Sequence, residues 1–399
     1  MYHAFGATTY AYVSSEYRGG SLFFHLTKKH RRRCPACRSR RVTLDGRVSY
    51  TVRTIPIGWK AVFLVLHLHM LLCEDCGART QERRDVADPR KSYTRAFARY
   101  VIDLAKEMTL SAIATRLGVG WDLVKEIVKS RLSARAKQRS WRKIRRIGID
   151  EFATHKGHRY MTVVVDLDTG RVLYTAEGKD HTTLEAFFAR LKKARAKLQA
   201  IAVDMSEAYA KAIRLYAPAA AIVVHDHFHV VKEMNEVLTE VRRDEQRRLA
   251  DEGKSAIKGS RYLLLMGQEK LEKEPEKKTR LDALLAANDT LHRAYLLKED
   301  LRLFWKQESK VKASDFIDTW LEEAKAMNNT HVARIAKTIE AKRDAILAWY
   351  DHPISTGPVE GLNNKIKVLK RKAYGYRDME FFSLQLLFLH EAKATLTGV

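Results

Sequence analysis

Three acidic residues, far apart in the chain, sit in settings suited to metal-dependent phosphodiester chemistry. Asp150 closes the apolar run Ile147-Gly-Ile-Asp150-Glu151, and Asp204 closes Ile201-Ala-Val-Asp204-Met-Ser. Glu360 lies in Ser355-Thr-Gly-Pro358-Val-Glu360-Gly-Leu-Asn363-Asn364-Lys365, where Ser355 or Thr356 can cap a helix and Pro358 suits its first turn. If the two strands are neighbours, their terminal aspartates stand side by side at one sheet edge, and Glu360 projects from a helix packed against it. Carboxylates so grouped repel one another unless cations bridge them. Hard oxygen ligands suit Mg²⁺ or Mn²⁺. Two such ions, about 4 Å apart, activate an attacking oxygen and stabilise a leaving one. Asp150, Asp204 and Glu360 are therefore the expected catalytic residues and ligands, with two ions per active site. Glu151 and Glu207 are close rivals, ranked lower because a strand end fixes the aspartate in each case.

The helix after Glu360 is basic. Asn363, Asn364 and Lys367 share its face, and Lys365, Lys370, Arg371 and Lys372 add charge for phosphate. The run His225-Asp226-His-Phe-His229 reads as a structural tie between strand and helix through Asp226 and His229 rather than as a histidine metal site.

All four cysteines fall in two knuckles, Cys34-Pro-Ala-Cys37 and Cys73-Glu-Asp-Cys76. Each CxxC turn presents two sulfurs at the separation tetrahedral Zn²⁺ requires. Strands around residues 47–55 and 62–72 complete a zinc ribbon holding one structural zinc, since four sulfurs leave no open position. His67 and His69 could replace a cysteine; ordinary strand positions are the simpler reading.

Between Thr109 and Ile127 the pattern is that of a helix-turn-helix. Ala114 is small at the crossing, Gly118 allows the turn, and Ile113, Leu117, Val119, Val124 and Ile127 share a core. The second helix, from Trp121 to Lys129, would enter a major groove, with Trp121, Asp122 and Lys125 as surface contacts. A basic linker follows, in which Arg142, Lys143 and Arg145 are expected on phosphates.

From Ile147 the order β-β-β-α-β-α-β describes a mixed α/β sheet. Residues 231–350 are almost all helix formers, an inserted helical domain, with 267–280 a charged loop or helix end. The expected organisation is multi-domain α/β. A zinc-ribbon domain (1–90) leads to a helix-turn-helix with basic linker (91–145) and the first part of a catalytic core (146–230). A helical insertion (231–350) and C-terminal core helices carrying the glutamate (351–399) complete it. The net charge of +25 and pI near 9.8 call for an anionic partner, first of all nucleic acid. The longest apolar stretch, residues 61–72, is broken by His67 and His69 and is far short of the roughly 20 residues of a membrane span. With no signal-peptide pattern, a cytoplasmic setting is expected, where paired cysteines favour metal over disulfide.

Taken together these motifs resemble the ISL-three family of bacterial insertion-sequence transposases. The resemblance rests on the ribbon, the helix-turn-helix, Gly148-Ile-Asp150-Glu151 with Lys156-Gly-His158-Arg-Tyr160, and Val203-Asp204-Met-Ser206. It rests also on Asp226-His-Phe-His229-Val-Val-Lys232 and Gly357-Pro-Val-Glu360-Gly-Leu-Asn363-Asn364-Lys365-Ile-Lys367. Segments within the helical region, Ser260-Arg-Tyr-Leu-Leu-Leu265 and Ala294-Tyr-Leu-Leu-Lys-Glu-Asp-Leu301, are similar too. It implies a ribonuclease-H-like core with an Asp150, Asp204 and Glu360 triad, and a supporting Asp-x-x-His element at Asp226 and His229. It also implies double-stranded DNA partners: terminal inverted repeats bound by the N-terminal domains, and target DNA joined to the cleaved 3′-hydroxyls. Pairing two ends requires a homodimer or larger assembly on DNA, in a bacterial, nucleoid-associated setting. The rival expectations are a ribonuclease-H-like nuclease that cuts without joining, and a DNA-binding regulator derived from a transposase.

Overall fold

The computed structural model describes residues 2–29, 32–155, 159–249, 257–373 and 375–389. They fall into two compact units, residues 1–139 with 368–399, and residues 140–367.

The first unit opens with a five-stranded sheet of β1 (Tyr10–Arg18), β2 (Ser21–Lys28), β3 (Val42–Ile57), β4 (Lys60–Cys73) and β5 (Arg79–Gln81). Alternation along β4 buries Val62, Leu64, Leu66 and Leu68 completely, against Tyr10, Leu26 and Val52. These side chains occupy one face because strand side chains alternate. A two-residue turn links β3 to β4: Ile57 pairs with Lys60, and Gly58 takes φ +57°, a conformation glycine adopts without strain.

Three helices follow: α1 (Arg95–Leu104), α2 (Leu110–Leu117) and α3 (Trp121–Lys137). Thr109 caps α2 by accepting from the Ala112 amide at 3.1 Å, and Gly118 ends it at φ 60°. Ile113, Leu117, Val124 and Ile127 lie in the shared core. The second helix extends eight residues beyond Lys129, so Arg131, Arg135 and Lys137 of the expected linker are helical. That stretch has no glycine or proline, and Leu132 anchors it in the core. The expected C-terminal core segment 351–399 is divided between the units. Its last helix, α12 as numbered here (Met379–Leu387), packs Phe381 and Leu384 onto the helix-turn-helix, with Phe388 just beyond it.

The second unit carries a mixed sheet of β6 (Arg146–His155), β7 (Arg159–Asp166), β8 (Arg171–Glu177), β9 (Ala200–Val203) and β10 (Ile222–His225), in the order β10-β9-β6-β7-β8. β6, β7 and β8 are antiparallel neighbours; β9 and β10 run parallel to β6. Helices α4 (Glu185–Lys193) and α5 (Glu207–Tyr216) bury Phe187, Leu191, Tyr209 and Ile213 against Ile147, Ile149 and Val203. After β10 the named elements are helical: α6 (His227–Arg248), α7 (Pro275–Ala286), α8 (Asp289–Leu303), α9 (Lys310–Ala326), α10 (Thr330–Ala341) and α11 (Gly357–Lys372), with shorter turns between. Residues 267–280, expected as a charged loop or helix end, form a short helix and then the start of α7. Pro275 stands in the first turn of α7, where its missing N–H costs nothing, and Leu271 and Leu281 anchor the segment. Among the described residues no helix is long and apolar enough to cross a membrane.

Candidate active site and metal centre

Strand register brings three acids into one row. Ile149 pairs with Val203, and Val203 with His225, so Asp150, Asp204 and Asp226 each stand one residue past a matched position on three adjacent parallel strands. Asp204 and Asp226 follow the carboxyl ends of β9 and β10, where open α/β sheets build their sites. Asp150, expected to end its strand, instead lies mid-strand: β6 runs on to His155 because its antiparallel pairing with β7 continues where its pairing with β9 stops. Asp150 is half-buried. Burial raises its pKa and Asp204 adds repulsion, while the Glu151 amide at 2.8 Å, His229 and Asn363 stabilise the charge. Glu151, on the opposite face of β6, is raised by burial and then by Asp204, and hydrogen-bonds Tyr209 of α5. Asp204 accepts from the Ser206 amide at 3.0 Å.

Helix α11 reaches this row at two points. The Asn363 amide donates to Asp150 Oδ2 at 2.9 Å. Four residues earlier, Val359 lies against Gly148. A Cβ on Gly148 would be 2.9 Å from Val359 Cγ2 and 3.0 Å from Leu167 Cδ2. Gly148 is thus what lets the helix lie so close to β6, two residues from Asp150. Glu360, exposed in the first turn, precedes Asn363 by three residues and shares its side of the helix. The start of α11 is held from below: Thr356 donates from its hydroxyl to Asp226 Oδ2 at 2.5 Å, and the Val359 and Glu360 amides donate to the Thr356 carbonyl. Asp226 is fully buried, and its other oxygen lies 3.5 Å from His227 Nδ1. Its pKa is lowered: burial opposes this, but the nearby His227 and the hydrogen bond from Thr356 outweigh it.

Two groups near Asp204 escaped the sequence reading. Glu233 on α6, one turn past His229, is raised by burial and feels Asp204, and Lys342 binds the Met205 carbonyl and Glu207. Only packing between the helical region and the sheet reveals them.

The four cysteines converge. Cys34 and Cys76 sulfurs are 3.8 Å apart, Cys37 and Cys73 sulfurs 3.5 Å. Tetrahedral zinc with bonds of about 2.3 Å places sulfurs about 3.8 Å apart, so the set fits Zn²⁺. The two knuckles match in backbone as well: Arg38 and Gly77, each four residues past the first cysteine, have φ 65° and 66° and donate to the Cys34 and Cys73 carbonyls. His67 instead bonds Ser49 and His25, and His69 pairs with Glu82. Among the described residues this quartet alone gathers three or more ligand atoms within 4.8 Å of one another; Asp150, Asp204 and Glu360 are not drawn that tight. Mutual repulsion of the carboxylates opposes such closure, and a two-ion site is wider than a single-ion one. The donor set still fits hard divalent cations: oxygen ligands only, with a half-buried aspartate whose charge desolvation disfavours.

The expected DNA-contacting residues divide. Arg142, Lys143 and Arg145 are exposed ahead of β6, and Asn364, Lys365, Lys367 and Arg371 are exposed on α11. Lys370 is half-buried, and burial lowers its pKa. Trp121 is 46% exposed at the start of α3, but Lys125 is engaged with Asp378 at 2.9 Å, as is Lys129 at 3.1 Å. The Lys372 side chain and residues 156–158 lie outside the described residues.

One chain thus carries a helix-turn-helix and a sheet that sets Asp150, Asp204 and Asp226 in a row, and the proteins it matches are DNA-processing enzymes of the transposase class. Residues 147–386 match a transposase family model, and residues 84–132 match the helix-turn-helix domain of transposase family ISL3. The chain belongs to the ISL3 family of DDE transposases, a family that uses divalent metal ions. It is 36% identical over 357 residues to the transposase of insertion sequence element IS1001 from Bordetella parapertussis, covering 88% of this chain and 87% of that one. It is 32% identical over 396 residues to the transposase of IS1557 from Mycobacterium tuberculosis, covering 92% and 88%. The Drosophila P element transposase strand transfer complex is a distant neighbour, with TM-score 0.40 and 8% identity over 81% of this chain and 95% of that one.

Proposed function

We propose that this transposase binds the terminal inverted repeats of its insertion sequence, cleaves DNA at the element's ends and joins the freed 3′-hydroxyls to target DNA. Asp150, Asp204 and Glu360 are the proposed triad, in a core of ribonuclease-H-like topology into which the helices after β10 are inserted. The observation that carries the reading is the docking of Glu360's helix on β6, through Asn363 to Asp150 and Val359 to Gly148, beside the strand that ends at Asp204.

In the first step a water oxygen bonds to phosphorus and the bond to the 3′ oxygen breaks; in the second, that 3′-hydroxyl oxygen bonds to a target phosphorus, and the bond from that phosphorus to the target strand's own 3′ oxygen breaks, the proton of the attacking hydroxyl passing to the leaving oxygen by way of solvent. Asp150, Asp204 and Glu360 would hold the divalent cations, which when bound would supply activation of the attacking oxygen and neutralisation of the leaving one. Asn363 fixes the rotamer of Asp150. Asp226, through Thr356, fixes the first turn from which Glu360 projects. Arg142, Lys143, Arg145, Lys365 and Lys367 meet phosphates, and a dimer or larger assembly brings two ends together. The four cysteines hold one structural zinc.

Cleavage of end-containing duplex in Mg²⁺ tests this. Asp150→Asn, Asp204→Asn and Glu360→Gln should each keep DNA binding and abolish cutting. A pre-cut end with a free 3′-hydroxyl should be joined by the wild type; hydrolysis without joining points to a nuclease, and binding without cutting to a regulator.

A further inference from the structure

The turn between β3 and β4 carries Trp59 at its tip, 82% exposed, more than any other large apolar side chain among the described residues. Exposed single apolar residues are ordinary, but this one has organised company. Arg116, in the last turn of α2, places its guanidinium 4.9 Å from the centre of the indole ring. On the other side of the tip, Lys60 lies 5.5 Å from the ring of Tyr17, itself 59% exposed. Beneath Trp59 runs a groove of about 530 Å³ lined by Arg53, Pro56, Tyr100, Thr115 and Arg116, with the backbone of Leu117 and Gly118 at its end.

No carboxylate lines this groove. Arg53 donates to the Leu117 carbonyl at 3.0 Å, is flanked by Phe63 at 4.9 Å, and has a buried Nε without a partner. Neither Arg53 nor Arg116 has an ion-pair partner among the described residues. A guanidinium stacked on an aromatic face keeps its in-plane N–H fork available, and that fork matches phosphate oxygens. Two such cations, an exposed indole and a chain of net charge +25 are complementary to one polyanion, duplex DNA.

The groove's position sets which DNA. Leu117 and Gly118 form the turn of the helix-turn-helix, and α3 begins at Trp121, three residues on. A duplex held by α3 passes beside this turn. We propose that the Gly58-Trp59 hairpin tip and Arg116 form a second DNA contact, a clamp on backbone phosphates flanking the helix-turn-helix site. Arg116 meets the phosphate; Trp59 orients the guanidinium and packs on the adjoining sugar. The clamp rests on the reading that this unit binds the element's ends, and it widens the site without adding sequence preference.

The test uses the full chain and two labelled duplexes of equal length, one carrying the terminal repeat that flanks the gene and one of scrambled sequence. Trp59→Ala and Arg116→Gln should each weaken binding of both duplexes roughly tenfold, with the salt dependence of Arg116→Gln shallower by about one phosphate. Arg116→Lys should regain the salt slope but only part of the affinity, since it keeps charge and loses the stacked fork. Hydroxyl-radical protection should shorten at one flank of the footprint. Zinc content and thermal melting should match wild type, because both side chains are on the surface. Variants that bind both duplexes like wild type overturn the clamp and leave the proposed function standing. A wild type with no preference for the repeat overturns end recognition, while the clamp is still read on the scrambled duplex.

Discussion

Gly148→Ala is the sharpest perturbation of the proposed site, because it adds a single methyl group and removes no functional group. The new Cβ would stand 2.9 Å from Val359 Cγ2 and 3.0 Å from Leu167 Cδ2. Ordinary carbon contacts begin near 3.5 Å, so about 0.6 Å must be found at each. Leu167 is half-buried and its tip can turn aside. Val359 cannot: it is fully buried and β-branched on a helix, with essentially one rotamer. Helix α11 must therefore lift from β6 next to Glu360, or the strand must yield near Asp150. Overpacking of this kind costs about 1–3 kcal/mol. Displacements approaching 1 Å at reacting groups cost up to about a hundredfold in rate. We expect the Gly148→Ala protein to bind end-containing DNA like wild type and to cut it about 10- to 100-fold more slowly. Adding Val359→Ala, which removes the clashing methyl, should restore most of the rate. Wild-type cutting by Gly148→Ala, or no recovery in the double variant, would refute the claim that this contact sets the position of Glu360.

Other expectations follow from the same geometry. Burial holds the Asp150 pKa above its usual value, so its ionised form costs folding stability, a cost present above the folded pKa and relieved as pH falls through it. In EDTA at neutral pH, Asp150→Asn should melt higher than wild type, and adding Mg²⁺ should raise the wild type alone; an Asn variant that melts lower in EDTA contradicts the burial argument. Asp378, held down by Lys125, by the Phe381 amide and by Lys129, stabilises the packing of α12 above its ordinary pKa of 3.8, and that contribution is lost as pH falls further through the lowered folded value. Asp378→Asn should cost about 1–3 kcal/mol near neutral pH, read by denaturant unfolding, and the difference from wild type should vanish in strong acid. Cys73→Ser should lose the zinc found by elemental analysis and weaken DNA binding; full binding without zinc would remove the ribbon from the recognition surface.

What could be read in advance was what local pattern encodes. The apolar run before Asp204 located a strand end, and the CxxC spacing located the quartet, because each signal spans only a few residues. The helix-turn-helix was legible for the same reason, in Gly118 and its flanking apolar positions. Its second helix ran longer than expected, because a basic stretch without breakers can be linker or helix and only Leu132's burial decides. Asp150, expected at a strand end too, lies mid-strand, because β6 runs on to His155 through pairing with β7 that no local pattern announces. Long-range partners were not legible. Lys125 looked like a groove contact until Asp378, distant in the chain, took its charge. Asn363 was expected on DNA; its side was right, but the group it faces is Asp150. Gly148 was visible as part of a motif, yet its purpose needs Val359 beside it. Trp59 drew no notice, since nothing local distinguishes an exposed hairpin tip from a buried one.

The bonds that tie α11 to the sheet span the chain: Asn363 to Asp150 crosses 213 residues, and Thr356 to Asp226 crosses 130. Contacts between residues so distant in sequence must meet their loop-closure entropy before they stabilise anything. The sheet of the second unit is held by its own strand pairing, so it can form before α11 docks on it. The row of aspartates would then gain its covering helix only in that late, long-range step.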